Sequence, residues 1–393
     1  MVNYWKLTGI NSINMNRRVF LRNNGLALAS MPLLISSGMI DEGNRICGER
    51  VQFTRDGLDL DPYEYSKLLR EITGGEDVVD NYSRYGVVQR MENKFAEMLG
   101  MESAVFMPTG TMANLIAIRK HAGEKKRVLL QAESHIYNDT GDGAQTLAGL
   151  NLIPLAVGKT SFTLDEVKAA CEWTDNGRVK TVIGAISVES PVRRKNNEMF
   201  NFKEMVKISE YARSSGIKMH LDGARLFNAV AHSGIPAKEY ASLFDTVYIS
   251  LYKDFNAASG AVLCGQKAFM EELYHIRRMF GGGMPQAWPF ASVALYYADS
   301  FLSDYAEAMK RFRTFSEILN RRVEFEVEMI ENGTNVFKMK VNINNISNLI
   351  EKLASNNIEL PQPTGNIFNP KINTTLLRVD PAKLADLFIE AIS

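Results

Sequence analysis

Seven short apolar runs recur between residues 103 and 265: "SAVFM" (103–107), "RVLLQ" (127–131), "LIPLAV" (152–157), "VKTVIGAISV" (179–188), "GIKMHLD" (216–222), "DTVYISL" (245–251) and "GAVLCG" (260–265). Runs this short and continuously apolar read as strands buried on both faces. Helical segments stand between several of them. "GVVQRMENKFAEMLG" (86–100) sets Val88, Met91, Phe95, Met98 and Leu99 on one helical face, and "PTGTMANLIAIRKHA" (108–122) is a turn that opens a helix. "TLDE" (163–166) reads as a capping box, with the Thr163 hydroxyl accepting from the Glu166 amide. Gly216 closes the helix that ends in "EYARSS". This alternation predicts an α/β fold, a mostly parallel seven-stranded sheet covered by helices on both faces.

The pattern changes near residue 300. A long helical run (300–320) leads to "VFKMKV" (336–341), the amphipathic "ISNLIEKLASNNI" (346–358), and a final strand and helix in "TTLLRVDPAKLADLFIEAI" (374–392). The chain therefore divides into a signal-like region (1–45), a large domain (50–299) and a smaller C-terminal α+β domain (300–393). At 393 residues and 46% hydrophobic, it has material for a large core. Lys+Arg and Asp+Glu both number 45, so no charge excess favours nucleic acid or an anionic membrane surface. Cys47, Cys171 and Cys264 are too few and too scattered for a disulfide framework. The five histidines lack ligand spacing, so no metal site is expected.

Chemistry is concentrated in a few residues at strand ends. In "MHLDGARLFN" (219–228), Asp222 closes an apolar run and Arg225 follows two small residues. Asp-Gly after a strand is also ordinary turn chemistry. In "SLYKDFNAASGAVLCG" (250–265), Lys253 ends the next apolar run, where a lysine is otherwise a solvated loop residue. One strand–helix–strand unit separates the two, so both are expected at the carboxyl edge of the sheet, where open α/β sheets bind ligands. In "PTGTMAN" (108–114), Gly110 and Thr111 stand at a helix start and offer free amides and a hydroxyl to an anion. A phosphate cradle, a carboxylate and a lysine on one edge are the parts that pyridoxal 5'-phosphate requires. Asp222 would keep the pyridine nitrogen protonated, and Lys253 would carry the cofactor as a Schiff base. Arg225 would supply positive charge to the phosphate or to a substrate carboxylate.

From about residue 50 to the C-terminus, the chain resembles the threonine aldolase/β-eliminating lyase family of fold-type-I pyridoxal-phosphate-dependent enzymes. The likeness is carried by "PTGTMANLIAI", "ESHIYND", "GDGAQTLAGL", "HLDGARLFNA", "SLYKDFNAASGAVLCG" and "RRMFGGGMPQA". It implies that Lys253 is the Schiff-base lysine, Asp222 the pyridinium carboxylate, and His135 the histidine that stacks on the ring. Gly110 and Thr111 match the phosphate-binding turn, and Arg225 matches the arginine of its motif. The family takes an arginine for the substrate carboxylate from its C-terminal domain, and Arg378 is the best candidate here. The implied activity is cleavage of a β-hydroxy-α-amino acid such as threonine to glycine and an aldehyde. β-Elimination from another amino acid, or amino-acid binding without catalysis, are the alternatives. A homodimer or homotetramer acting on a small amino acid is implied as well.

Two departures from the family bear on mechanism and specificity. The acid–base glutamate that the family has five residues after the stacking histidine is Thr140 here, beside Asp139, which leaves His135, Asp139 or a water to take a proton. The family's "GGGMRQAG" reads "GGGMPQAW", with Pro285 and Trp288.

The N-terminus carries a separate likeness. "NRRVFLRNNGLALASMPLLISSGMI" (16–40) resembles a twin-arginine export signal, with Arg17-Arg18 before Phe20-Leu21 and a short apolar stretch. That stretch is too short and too broken to span a bilayer stably. It implies a periplasmic protein exported after folding around its cofactor, with a cytoplasmic location as the alternative.

Overall fold

Twelve strands are numbered along the chain in the computed structural model, which describes residues 50–74 and 78–392. They are β1 (Val51–Gln52), β2 (Ser103–Met107), β3 (Arg127–Gln131), β4 (Asn151–Leu155), β5 (Ile183–Glu189), β6 (Lys218–Asp222), β7 (Thr246–Ser250), β8 (Ala261–Gly265), β9 (Phe325–Met329), β10 (Phe337–Val341), β11 (Ile358–Glu359) and β12 (Ile367–Phe368). The twin-arginine-like stretch lies outside the described residues.

The central sheet has the order β2-β8-β7-β6-β5-β3-β4. Only β8 is reversed; it runs antiparallel to β2 and β7, and the remaining pairs are parallel. Strands β2 to β7 therefore bring their C-terminal ends to a single edge. All seven expected strands are present, and β5 begins four residues later than the apolar pattern because Val179 and Val182 are exposed. β7 and β8 are buried along their whole length, as continuous apolar runs require.

Helices cover both faces. The Gly86–Leu99 helix buries Val88, Met91, Phe95 and Leu99, and ends at Gly100 in the left-handed conformation. Each such side chain contributes roughly 1.5–3 kcal/mol by leaving water. The capping box at Thr163 forms in both directions, Glu166 N–H to Thr163 Oγ1 (3.2 Å) and Thr163 N–H to Glu166 Oε2 (2.7 Å).

Beyond the long Phe301–Leu319 helix, β12-β10-β9 form an antiparallel sheet. Phe53 joins Phe315, Phe337 and Phe388 there, with ring centroids 6.0–6.2 Å away. β1 pairs in parallel with β11, so the first described residues are built into the C-terminal part of the chain. The last expected strand is corrected. Thr374–Arg378 is a turn of 3-10 helix, because the Asn373 side chain caps it by accepting from the Thr375 amide (3.0 Å). Among the described residues, no helix is long and apolar enough to cross a membrane.

Candidate active site

A cavity of about 880 Å³ opens at the carboxyl edge of the sheet. Six of the seven site residues expected from the sequence line it: Gly110, Thr111, His135, Asp222, Arg225 and Lys253. The topology explains the convergence. β2 leads into Gly110, β3 into His135, β6 ends at Asp222 and β7 leads into Lys253, all at the same edge.

Lys253 sits in a tight turn between β7 and β8 that is packed from below. Phe255, two residues on, meets Phe95 and Phe227 edge-to-face at 4.8 and 5.2 Å. Asn256 holds a positive φ of 55° and accepts the Leu58 amide at 2.7 Å. Among the described residues no hydrogen bond or ion pair holds the Lys253 ammonium, whose Nζ lies 5.1 Å from the Tyr252 ring centre. Burial, and then the Arg225 guanidinium, lowers it to about 8. A sizeable neutral fraction near physiological pH suits a nucleophilic amine.

Asp222 is buried and held by two donors. Its Oδ2 accepts from Asn114 Nδ2 at 2.6 Å, and its Oδ1 accepts from the Ala224 amide at 3.2 Å. Thr109 caps the Gly110–Ala122 helix by accepting from Met112 N–H (3.2 Å), which leaves the amides of Gly110 and Thr111 open towards the cavity. A Cβ at Gly110 would run into the Tyr248 hydroxyl, so glycine lets that helix end pass beneath the cavity floor.

Two carboxylates surround His135, and only one was apparent in the sequence. Asp139 lies 3.5 Å from His135 Nδ1 and is clamped by Arg193 Nη2 (2.6 Å) and Arg194 Nη1 (3.0 Å). Partial burial raises its carboxyl, but the bonds and charges of the two arginines outweigh this and hold it below the usual range. Thr140 donates its hydroxyl to the Ile136 carbonyl (2.8 Å). Glu189, at the end of β5, accepts the backbone amides of His135 (2.5 Å) and Arg193 (2.9 Å). Burial, and then Asp222, raises it to about 7. A charged residue closing an apolar run, the signal that singled out Asp222, could have found Glu189 in "ISVESP" as well.

Arg225 is not a free cation. Its Nε and Nη2 donate to the two oxygens of Asp56 (3.0 and 2.9 Å), which also takes Lys371 Nζ (3.0 Å) and Asn335 Nδ2 (3.4 Å). Arg378 stands apart from the other expected residues. In its 3-10 turn it donates to the Arg50 carbonyl (3.1 Å) and to Glu64 (3.2 Å), and it does not line the cavity. Lys371 is the cation that the C-terminal part brings to the cavity wall. No group of three or more potential metal ligands occurs among the described residues.

An unpaired lysine, a donor-held carboxylate and an open helix N-terminus in one cavity fit pyridoxal phosphate, and none of the described residues fills the cradle. Fold and site together define a fold-type-I pyridoxal-phosphate-dependent lyase. The family described as beta-eliminating lyase matches residues 69–358, and the chain belongs to it. A probable low-specificity L-threonine aldolase 2 of Arabidopsis thaliana is 30% identical over 256 residues, 64% of this chain and 72% of that protein. A low specificity L-threonine aldolase of Saccharomyces cerevisiae is 32% identical over 208 residues, 52% of this chain and 53% of that protein; the chain thus spans about half of the yeast relative's length. The crystal structure of a putative L-allo-threonine aldolase from Listeria monocytogenes superposes with a TM-score of 0.70 at 26% identity, covering 84% of this chain and 91% of the other.

Proposed function

We propose that the protein cleaves the Cα–Cβ bond of β-hydroxy-α-amino acids such as threonine, releasing glycine and an aldehyde. The observation that carries this reading is the unpaired Lys253 amine sharing one cavity with Asp222 and the open helix N-terminus. Bound pyridoxal phosphate supplies an electron sink for the pair left at Cα. Gly110 and Thr111 would hold its phosphate, Lys253 would carry it, and Asp222 would set a negative charge beside its ring. Lys371, in place of Arg378, takes the substrate carboxylate at the cavity wall. His135 accepts the substrate's hydroxyl proton, since an imidazole is the side chain suited to proton transfer near neutral pH. Asp139 is too weak a base under its two arginines, and the Thr140 hydroxyl is turned to a backbone carbonyl.

β-Elimination is the second reading, favoured by one observation: the carboxylate that would deprotonate a substrate hydroxyl is replaced by Thr140. A homodimer or homotetramer is part of the proposal, supported by Val79, Tyr82 and Tyr85 exposed together on one short segment. So is periplasmic export, supported by Arg17-Arg18 before Phe20-Leu21 and checked by cell fractionation.

The decisive experiment is borohydride reduction of the purified protein, peptide mapping, and product analysis with threonine and with serine. A reduced adduct on Lys253, absent in Lys253→Ala, with glycine and acetaldehyde formed from threonine, is expected. An adduct on another lysine would overturn the site, and ammonia and pyruvate from serine without glycine from threonine would overturn the reaction.

A further inference from the structure

Behind Asp222, away from the cavity, a line of side chains crosses the sheet. Asn114 Nδ2 meets Asp222 Oδ2 at 2.6 Å, and Asn114 Oδ1 meets His220 Nε2 at 2.9 Å. His220 Nδ1 meets Thr246 Oγ1 at 2.9 Å, and the same oxygen meets His121 Nε2 at 2.8 Å. Asn114, His220 and Thr246 are fully buried, whereas His121 is only half-buried.

Simple periodicities build this line. His220 and Asp222 lie two residues apart on β6 and so share a face. Thr246 is the direct neighbour of His220 on β7. Asn114 and His121 lie seven residues apart on the Gly110–Ala122 helix, about two turns, so both face the strands beneath.

The direction of every hydrogen bond follows from the first. An ionised carboxylate only accepts, so Asn114 donates its amide to Asp222 and presents its carbonyl to His220. His220 must then donate from Nε2. Burial keeps His220 neutral, lowering it to about 3, so its Nδ1 accepts and the Thr246 hydroxyl donates. Thr246 in turn accepts from His121 Nε2. All four hydrogen bonds point towards Asp222, and donors aligned head to tail polarise one another.

We propose that His121, Thr246, His220 and Asn114 form a directed hydrogen-bond relay that holds Asp222 ionised and fixed for the cofactor ring. They are positioning residues, and the inference rests on Asp222 as the partner of the ring nitrogen. A carboxylate at that place faces opposing demands: the acid Glu189 and the phenol Tyr248 stand near it, as do Arg225 and Lys253. The relay adds stabilisation from the side that the cavity does not reach. Its outer end, His121, stacks on Phe269 at 4.6 Å and has Asp245, Lys218 and Lys120 as charged neighbours.

The test has two arms. In the apoprotein, nitrogen-15 NMR of the histidines reads the tautomers directly. His220 and His121 are expected as neutral Nε2–H forms from pH 6 to 8, and an Nδ1–H form of His220 would overturn the relay. In the cofactor-loaded protein, Thr246→Val removes the hydroxyl at constant shape, and His121→Phe removes the outer donor. Each is expected to shift the pH midpoint of the visible absorbance band and to lower kcat about threefold to tenfold with KM unchanged. Thr246→Ser and His121→Gln keep the necessary hydroxyl and donor, and are expected to restore the wild-type profile. Should Thr246→Val fail to fold, His121→Phe at the half-buried end decides alone. A silent band and unchanged kcat in His121→Phe, while Asp222→Asn still loses activity, would overturn the relay and leave the site standing. Retained activity in Asp222→Asn would overturn the underlying reading itself.

Discussion

Replacing Asp56 with asparagine removes one charge and preserves shape, at the point where three distant parts of the chain meet. The Asp56 and Arg225 side chains are 8% and 5% exposed, and Lys371 adds a second cation to the same carboxylate. Without the anion, a guanidinium and an ammonium face each other in a poorly solvated place. Breaking a buried pair by removing one partner costs about 3–5 kcal/mol. Burial raises the Asp56 carboxyl, but Arg225 and then Lys371 outweigh it and hold it well below the usual carboxylate range. A carboxyl depressed in the folded state stabilises the protein above its unfolded pKa of about 4, and that contribution fades as pH falls through the folded value. Urea unfolding of the apoprotein, followed by circular dichroism, should therefore show Asp56→Asn less stable by about 3–5 kcal/mol at pH 7. The gap to wild type should narrow as pH drops below about 4. The double variant Asp56→Leu/Arg225→Met, which removes both buried charges, should recover most of the loss. A deficit under about 1 kcal/mol at pH 7, the size of an exposed pair, would refute the reasoning.

Three further substitutions test the cavity and its neighbourhood. Gly110→Ala drives a methyl group into the Tyr248 hydroxyl, and overpacking of this kind costs about 1–3 kcal/mol, so cofactor affinity by fluorescence titration should fall about tenfold or more. Arg378→Ala should leave KM for threonine unchanged while lowering stability by about 1–2 kcal/mol, because its partners are Glu64 and a backbone carbonyl; Lys371→Ala should raise KM. A raised KM in Arg378→Ala alone would return the carboxylate to Arg378.

The sheet was legible because its strands are continuous apolar runs with charged or small residues at their ends. β2 and β3 fall on the residues where their patterns begin and stop. Asp222, Lys253 and Gly110 were legible for the same reason, since parallel topology sends such ends to one edge. Thr374–Arg378 misled because its run of Thr and Leu reads as a short apolar strand, while a side-chain cap from Asn373 decides for a tight helical turn. Arg378 was misplaced with it. Asp56 and Lys371 carry no local signal at all: their meaning lies in the meeting of Lys371 and Arg225 at Asp56, and Arg225 is 169 residues from Asp56 along the chain. The Asn114–His220–Thr246 line is hidden similarly, because a helix period and a strand period must be superposed before it appears.

The pairing of β1 with β11 sets an order of events during synthesis. Val51 and Asp56 leave the ribosome long before their partners, Ile358 and Lys371, exist. Until then β1 has no strand to pair with, and closing so distant a contact is slow. The wall of the cavity that Lys371 provides is completed last, so cofactor capture in the finished geometry is post-translational. A chain truncated before β11 would lose hold of its own beginning as well as its end.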